Sequence, residues 1–513
     1  MLSFLVRRTL TGLATLFTAI FLMFLLVNRA VDPLDDLRQS TALNKEQLIA
    51  QRIDQLDLNT PVVIRFFKWL WNFVQGDPGV AWRSGEPVGP LIAHAIGSTL
   101  QLVTAATFLA LVLGVTVGIV SALRQYSTFD YLIIFLSFLL YSLPSFWVAV
   151  LLKQWAAIGF NDFLADAFIP WPVVAAISAV AGVLWMFAIG GTARRRVQTF
   201  LLGAAATFAM LAYLQLTDWW QNPTVGPVLL AVVGTAIAFA VAGIGAGLRN
   251  RRALFSALTA VALGVVLYFP MQSFFALPMF GTNGSVTATL MIFGLAAVSI
   301  VVGLGIGWLF AGPDRGISMR TAAITSFLVA ALIFIDQVMQ VWGPYSNYLR
   351  GRPIPTFGDR TPNIGGNYWV GVLDSYTHLI LPTLTLILIA FAAYTRYSRS
   401  SMLEVMGQDY IRTARAKGLP ERVVVVRHAF RNTLIPLATI VPIDVITLIG
   451  GAIITEAVFA RPGMGQLFIQ SLGGAEVEPV MAYLVITATL AILANIIADI
   501  IYAAVDPRIR LEA

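Results

Sequence analysis

Long apolar runs follow one another from one end of this chain to the other, and a run of about 18 residues or more is long enough to cross a bilayer as a helix. The pattern predicts a first span over Leu10–Val27, a second over His94–Leu123 and a third over Tyr131–Leu152. Pro144 should kink the third, because proline removes a backbone hydrogen bond. The middle predicts Pro172–Ile189, Thr199–Leu216, Val225–Leu248, Ala253–Phe269, Val286–Phe310 and Thr321–Val341. Leu379–Tyr394, Leu434–Val458 and Val480–Val505 close the series, for a total of about twelve. The runs are continuous, not alternating, so the fold class is an all-α polytopic membrane protein rather than a β-barrel.

The polar connections give the orientation. Arg7 and Arg8 precede the first span, and Arg124 follows the second. In the middle the basic turns TARRR, LRNRR and GPDRGISMR alternate with TDWWQNPTVGP and PMQSFFALPMFGTNGS, which carry no Arg or Lys. The positive-inside rule makes these three hairpins that turn in the cytoplasm, and it puts both chain termini there as well. The first run is long for a signal peptide and VNRAVDP is a poor cleavage site, so it reads as a retained span. The long polar segment after it contains IRFFKWLWNF. Those aromatics suit either a helix at the membrane interface or packing within an external subdomain. Gly190-Gly191, GIGAG (Gly243–Gly247) and GLGIG (Gly303–Gly307) end the first helix of each hairpin and read as helix-packing positions.

Composition narrows the function classes. The chain has 513 residues, of which 58% are hydrophobic and 12% charged, about half the charge of a soluble protein. The net charge of +7 sits beside spans and anchors them, so no nucleic-acid partner is implied. With no cysteine there is no disulfide, thiolate metal site or thiol catalysis. There is no P-loop, HExxH or GxSxG, and the three histidines His94, His378 and His428 are far apart in sequence. These features point away from an enzyme and from a metal site.

One stretch stands out: EVMGQDYIRTARAKGLPERVVVVRHAFRN, Glu404 to Asn432, with five arginines and one lysine between two apolar spans. It predicts a short helix, a break at Gly418 and Pro420, and a second helix returning to the membrane. Such an element can present side chains to a cytoplasmic partner while remaining joined to two spans.

At these residues the chain resembles the permease subunits of binding-protein-dependent ABC importers, in the dipeptide/oligopeptide/nickel branch and its B-type member. LVRRTLTGLATLF, QGDPGVAW, ALRQYSTFDY, YSLPSFW, LILPTLTL, DYIRTARAKGLPERVVVVRHAFRN, EAVFARPGMGQLF and ADIIYAAVDPRIR carry the resemblance, in that order. It implies that Arg412, Thr413, Ala414, Arg415, Ala416, Lys417, Gly418 and Leu419 form a coupling element that docks on an ATP-binding subunit. The broad family motif reads Glu-Ala-Ala, three residues, then Gly; this chain has Arg412-Thr413-Ala414 and so lacks the acidic residue.

The implied partners are a second homologous permease, two ATP-binding subunits that hold the ATP and Mg, an extracytoplasmic substrate-binding protein and membrane lipid. No cofactor is expected in this chain. The implied location is the cytoplasmic (inner) membrane.

The resemblance also divides the chain. Residues 1–160 would be the N-terminal half of a permease core and 368–513 its C-terminal half with the coupling loop. Residues 161–367 would be an inserted membrane region, since ordinary members have about six spans. An insertion that starts and ends outside needs an even number of helices, and six satisfies this. The insert reads as a peripheral helical accessory. Intramembrane polar groups are costly and tend to face a bundle or water, so Asp444 and Glu456 are candidates for the pathway or for bracing between helices. Asn495 and Asp499 can pair on one helix face.

A di- or oligopeptide is the expected cargo, with nickel or another small solute as the alternative. A self-contained secondary transporter would show inverted repeats, whereas the repeat here is of hairpins in one orientation.

Overall fold

The computed structural model describes residues 2–505 apart from 31, 40, 42–43, 311 and 313–314. The described chain is helical, with a single isolated bridge between Val80 and Pro87. Eleven of its helices are long and apolar enough to cross a membrane, and the bent pair Thr128–Ser142 and Ser145–Ala165 brings the number to twelve. The C-terminal DPRIRLEA lies outside the described residues.

The chain forms two compact units. One comprises Met1–Gln154, Phe357–Asp359 and Leu379–Ala513; the other comprises Trp155–Thr356 and Arg360–His378.

In the first unit the helix Val88–Leu123 carries small residues at four-residue spacing: Ala106, Ala110, Gly114, Gly118 and Ala122. This stripe lets the long helix Tyr368–Met406 approach closely. A Cβ on Gly114 would lie 2.8 Å from the Tyr394 Cβ, and one on Gly118 would lie 2.5 Å from the Thr395 carbonyl oxygen. In hydrocarbon such close packing replaces the hydrophobic drive available in water.

Pro144 breaks the third span more sharply than a kink. The helix Thr128–Ser142 stops, Leu143 is extended, and the chain restarts at Ser145 with a bend of 100°. Leu143 precedes a proline, which disfavours helical backbone there.

The aromatic helix Val62–Val74 splits its faces. Phe66 and Trp69 pack with Ile20, Phe24, Met481 and Val485, while Phe67 and Trp71 are exposed. The segment after it is pinned to the turn before the last helix: Trp82 Nε1 donates to the Ala475 carbonyl at 3.2 Å and Arg83 N to Glu476 Oε1 at 2.9 Å.

The second unit contains six long helices, Trp171–Ile189, Ala193–Leu216, Gly226–Gly245, Arg251–Phe275, Val286–Leu309 and Arg315–Met339, matching the six predicted runs. Asp336 is buried, and Oδ1 accepts from Val225 N (2.6 Å) and Gly226 N (3.0 Å) at the start of Gly226–Gly245, while Oδ2 accepts from the Tyr268 hydroxyl (2.7 Å). A carboxylate suits the positive end of a helix and its free N–H groups.

The glycine groups divide. Gly303 and Gly307 do serve packing: a Cβ would lie 2.6 Å from Ala323 Cα and 2.3 Å from Met319 Cα, respectively. Gly190, Gly191 and Gly247 instead have positive φ and end their helices, so their expected packing role is corrected to helix termination.

Gly118→Ala should lower stability in detergent by about 1–3 kcal/mol, because the added methyl meets backbone. Gly97→Ala, with nothing within 4 Å of its Cβ, should not destabilise. Thermal unfolding of the two variants checks this, and equal losses would contradict the close crossing.

Candidate functional site

The polar loop of the first unit is an ordered element. The helix Tyr368–Met406 ends, and the short helix Asp409–Ala416 follows. Ile411 and Ala414 turn inward to a core that includes Met402, Val424, Ala429 and Ile119. Arg412, Thr413, Arg415, Ala416, Lys417, Gly418 and Leu419 are all exposed. The eight expected residues therefore lie together, but Ala414 serves as the anchor and the other seven as the surface.

Gly418 closes the short helix. Its N–H donates to the Arg415 carbonyl at 2.9 Å, and the Leu419 N–H donates to the Ala414 carbonyl at 3.4 Å. This paired capping pattern needs a left-handed residue, and Gly418 has φ +76°. Pro420, with no N–H to continue the helix, begins the next segment.

Across this turn Arg415 grips Glu421 with two bonds, Nη2 to Oε1 at 2.6 Å and Nε to Oε2 at 3.1 Å. The pair is exposed, so it fixes geometry more than it adds stability. Arg412, where the broad motif has an acid, faces Asp409 at 3.6 Å. The return arm of the loop passes through a π-helical turn, Val424–Ala429, before Phe430–Gly451. Asn432 Nδ2 donates to the Tyr410 hydroxyl at 2.7 Å, tying the two arms together.

Above the loop lies a charged clamp. Arg399 donates from Nε to Asp130 Oδ1 at 2.7 Å and from Nη2 to Asp130 Oδ2 at 2.9 Å. Ser121 Oγ and Tyr126 N also donate to this carboxylate, at 2.5 and 3.0 Å. Asp130 is 1% exposed. A two-bond Arg–carboxylate pair fixes orientation as well as distance. It fastens the turn between the second and third spans to the helix that enters the loop.

Asp444 and Glu456 are held separately. Asp444, half-buried in Phe430–Gly451, lies close enough to the Tyr394 hydroxyl to interact with it. Glu456 is fully buried in Ile453–Val458. It accepts from Thr99 Oγ1 at 2.7 Å and from Gly465 N and Gln466 N at 2.8 and 3.1 Å, and thereby caps the helix Met464–Gly473. Gly463 must be glycine for this approach, since a Cβ would lie 2.2 Å from the carboxyl carbon. Asn495 Nδ2 bonds back to the Ala491 carbonyl, and the Asp499 side chain lies outside the described residues.

The family model for binding-protein-dependent transport system inner membrane components matches residues 240–511, just over half the chain. The chain belongs to this family.

It is 25% identical to the oligopeptide transport system permease protein AppB of Bacillus subtilis over 511 residues, covering 99% of each chain. It is 42% identical to the oligopeptide transport system permease protein OppB of Mycobacterium bovis over 155 residues, which is 30% of this chain and 48% of that one. It is also 45% identical to the dipeptide transport system permease protein DppB of Escherichia coli over 138 residues, 27% of this chain and 41% of that one. The two stronger identities thus span less than half of those relatives. As a member of this family the chain is a multi-pass transport component rather than an enzyme.

The sequence reading missed the Asp130–Arg399 clamp. Its partners are separated by 269 positions, and either residue alone reads as a charge at a span end. The usable signal was an acid inside ALRQYSTFDY, where topology needs only bases.

Arg399→Gln strands a buried carboxylate and should cost about 3 kcal/mol. Asp130→Asn with Arg399→Gln should cost less than the two singles combined, with a coupling above about 1 kcal/mol. Unfolding of the four-member cycle in detergent measures it, and strict additivity would contradict a functional clamp.

Proposed function

We propose that this chain is the permease of an ATP-driven, binding-protein-dependent importer of di- or oligopeptides. The polar loop at Arg412–Leu419 is its docking element for ATP-binding subunits. One observation carries this reading: seven exposed residues, four of them Arg412, Arg415, Lys417 and Gly418, held in register by the buried anchors Ile411 and Ala414. An anchor for membrane topology needs only charge; a socket needs fixed geometry. The relatives are oligopeptide and dipeptide permeases, which supports peptide as the cargo.

On this reading the chain sits in the cytoplasmic membrane with loop and termini inside. It pairs with a second homologous permease, two subunits that bind ATP and Mg, and an extracytoplasmic binding protein. ATP acts by favouring one of two arrangements of the pathway. Loop motion would reach the spans by two routes: through the Asp130–Arg399 clamp, and through Asp444–Tyr394, which links the helices on either side of the loop. Glu456 would hold the far end of the pathway by fixing the helix Met464–Gly473. Residues 161–367 would be an accessory added to a permease core of 1–160 and 368–513.

Arg415→Glu reverses one charge of the socket and breaks its grip on Glu421. In the reconstituted complex it should lower substrate-stimulated ATP hydrolysis and peptide uptake roughly tenfold, equivalent to about 1.4 kcal/mol. Gly418→Pro should abolish both. Unchanged uptake in both variants would sink the docking role. Because the chain has no cysteine, a single Lys417→Cys reports topology directly: it should react with an impermeant thiol reagent only after cells are opened.

A further inference from the structure

At the end of the first unit that carries Trp82, the aromatic helix and the ends of the first and last helices enclose a pocket of about 440 Å³. Three of its lining residues carry a buried polar atom with no hydrogen-bond partner among the described residues: Arg65 Nε, Trp69 Nε1 and Glu478 Oε2. Trp69 is only 9% exposed. Two of these atoms are donors and one is an acceptor, and each bears its desolvation cost uncompensated.

Their neighbours set the charge of the site. Arg65 Nη2 is already held by Asn28 Oδ1 at 2.8 Å, which aims the guanidinium. Arg65 and Glu478 attract one another, yet they form no ion pair within 4 Å among the described residues. The other charged pair in the wall, Lys68 and Asp57, is satisfied at 2.8 Å. Two cations thus face two acids, so the pocket has no excess of either sign and no preference for a simple anion or cation. What remains without a partner is a donor on Arg65, a donor on Trp69 and an acceptor on Glu478, all three residues lining the same pocket.

We propose that this pocket binds a small zwitterion, with its ammonium on Glu478 and its anionic group on Arg65 and Trp69. Both ends of the ligand would then meet a charge-assisted or indole hydrogen bond, and the three open atoms would be satisfied together. Two sources offer this chemistry: a short peptide with free termini, and the headgroup of an ethanolamine phospholipid. Binding here does not require transport, so its measurement stands apart from the uptake assay.

The test is calorimetry on the full chain in nanodiscs of choline and glycerol phospholipids, titrated with dialanine, N-acetyl-dialanine and dialanine amide. A second arm measures thermal stability as ethanolamine phospholipid is added to the nanodiscs. Glu478→Gln and Trp69→Phe preserve size and shape, and circular dichroism identifies any variant that has not folded. Dialanine binding that falls roughly tenfold in each folded variant, and that either blocked form loses, establishes the site with a peptide ligand. Stabilisation by ethanolamine lipid that both variants lose establishes it with a headgroup. Absence of both responses, or responses that neither variant alters, overturns the proposal.

Discussion

The close crossing of Val88–Leu123 on the loop-bearing helix is the contact on which the first unit depends. Lipid tails are as apolar as leucine, so burying apolar surface gives two helices little reason to meet within a membrane. Here the stripe from Ala106 to Ala122 brings backbones into contact, and dispersion between closely packed atoms supplies the attraction. That approach sets the position of Arg399, one turn beyond Thr395. It lets the guanidinium reach Asp130 with both bonds formed. Packing and electrostatics are therefore coupled: without the glycine approach the clamp could not close.

The same logic orders the rest of the helix ends. Buried acids sit where helices leave N–H groups open: Asp336 at Gly226–Gly245 and Glu456 at Met464–Gly473. In a low-dielectric interior an unpaired carboxylate is expensive, while one satisfied by several donors fixes the elements it joins. Glu456 gains its role from Gly463 and Thr99, neither of which is remarkable as an isolated letter in the sequence. Intramembrane polarity singles out Asp444 and Glu456, but polarity alone does not distinguish a channel wall from a helix cap.

The polar loop combines these two constraints. Its surface is highly charged, yet its shape comes from apolar anchors and one left-handed glycine. Charge on a mobile loop would be spread over many geometries. Charge on a short helix fixed by Ile411 and Ala414, then turned at Gly418, is presented in one. The Arg415–Glu421 grip adds little energy at an exposed site, but it selects the relative direction of the two arms.

Much of this molecule was legible in one dimension. Apolar runs longer than a bilayer is thick must be helices, because hydrocarbon offers backbone groups no other partner. The six middle helices, the helix–break–helix of the loop and the turn at Gly418 all follow from local chemistry of this kind. Tertiary structure decided what depends on residues distant in the chain. It turned Pro144 into a 100° break, made Gly190 and Gly191 terminators while Gly303 and Gly307 became contacts, and joined Asp130 to Arg399. A sequence records which groups need partners; only the packed chain brings the partner within the 3 Å or so at which a hydrogen bond forms.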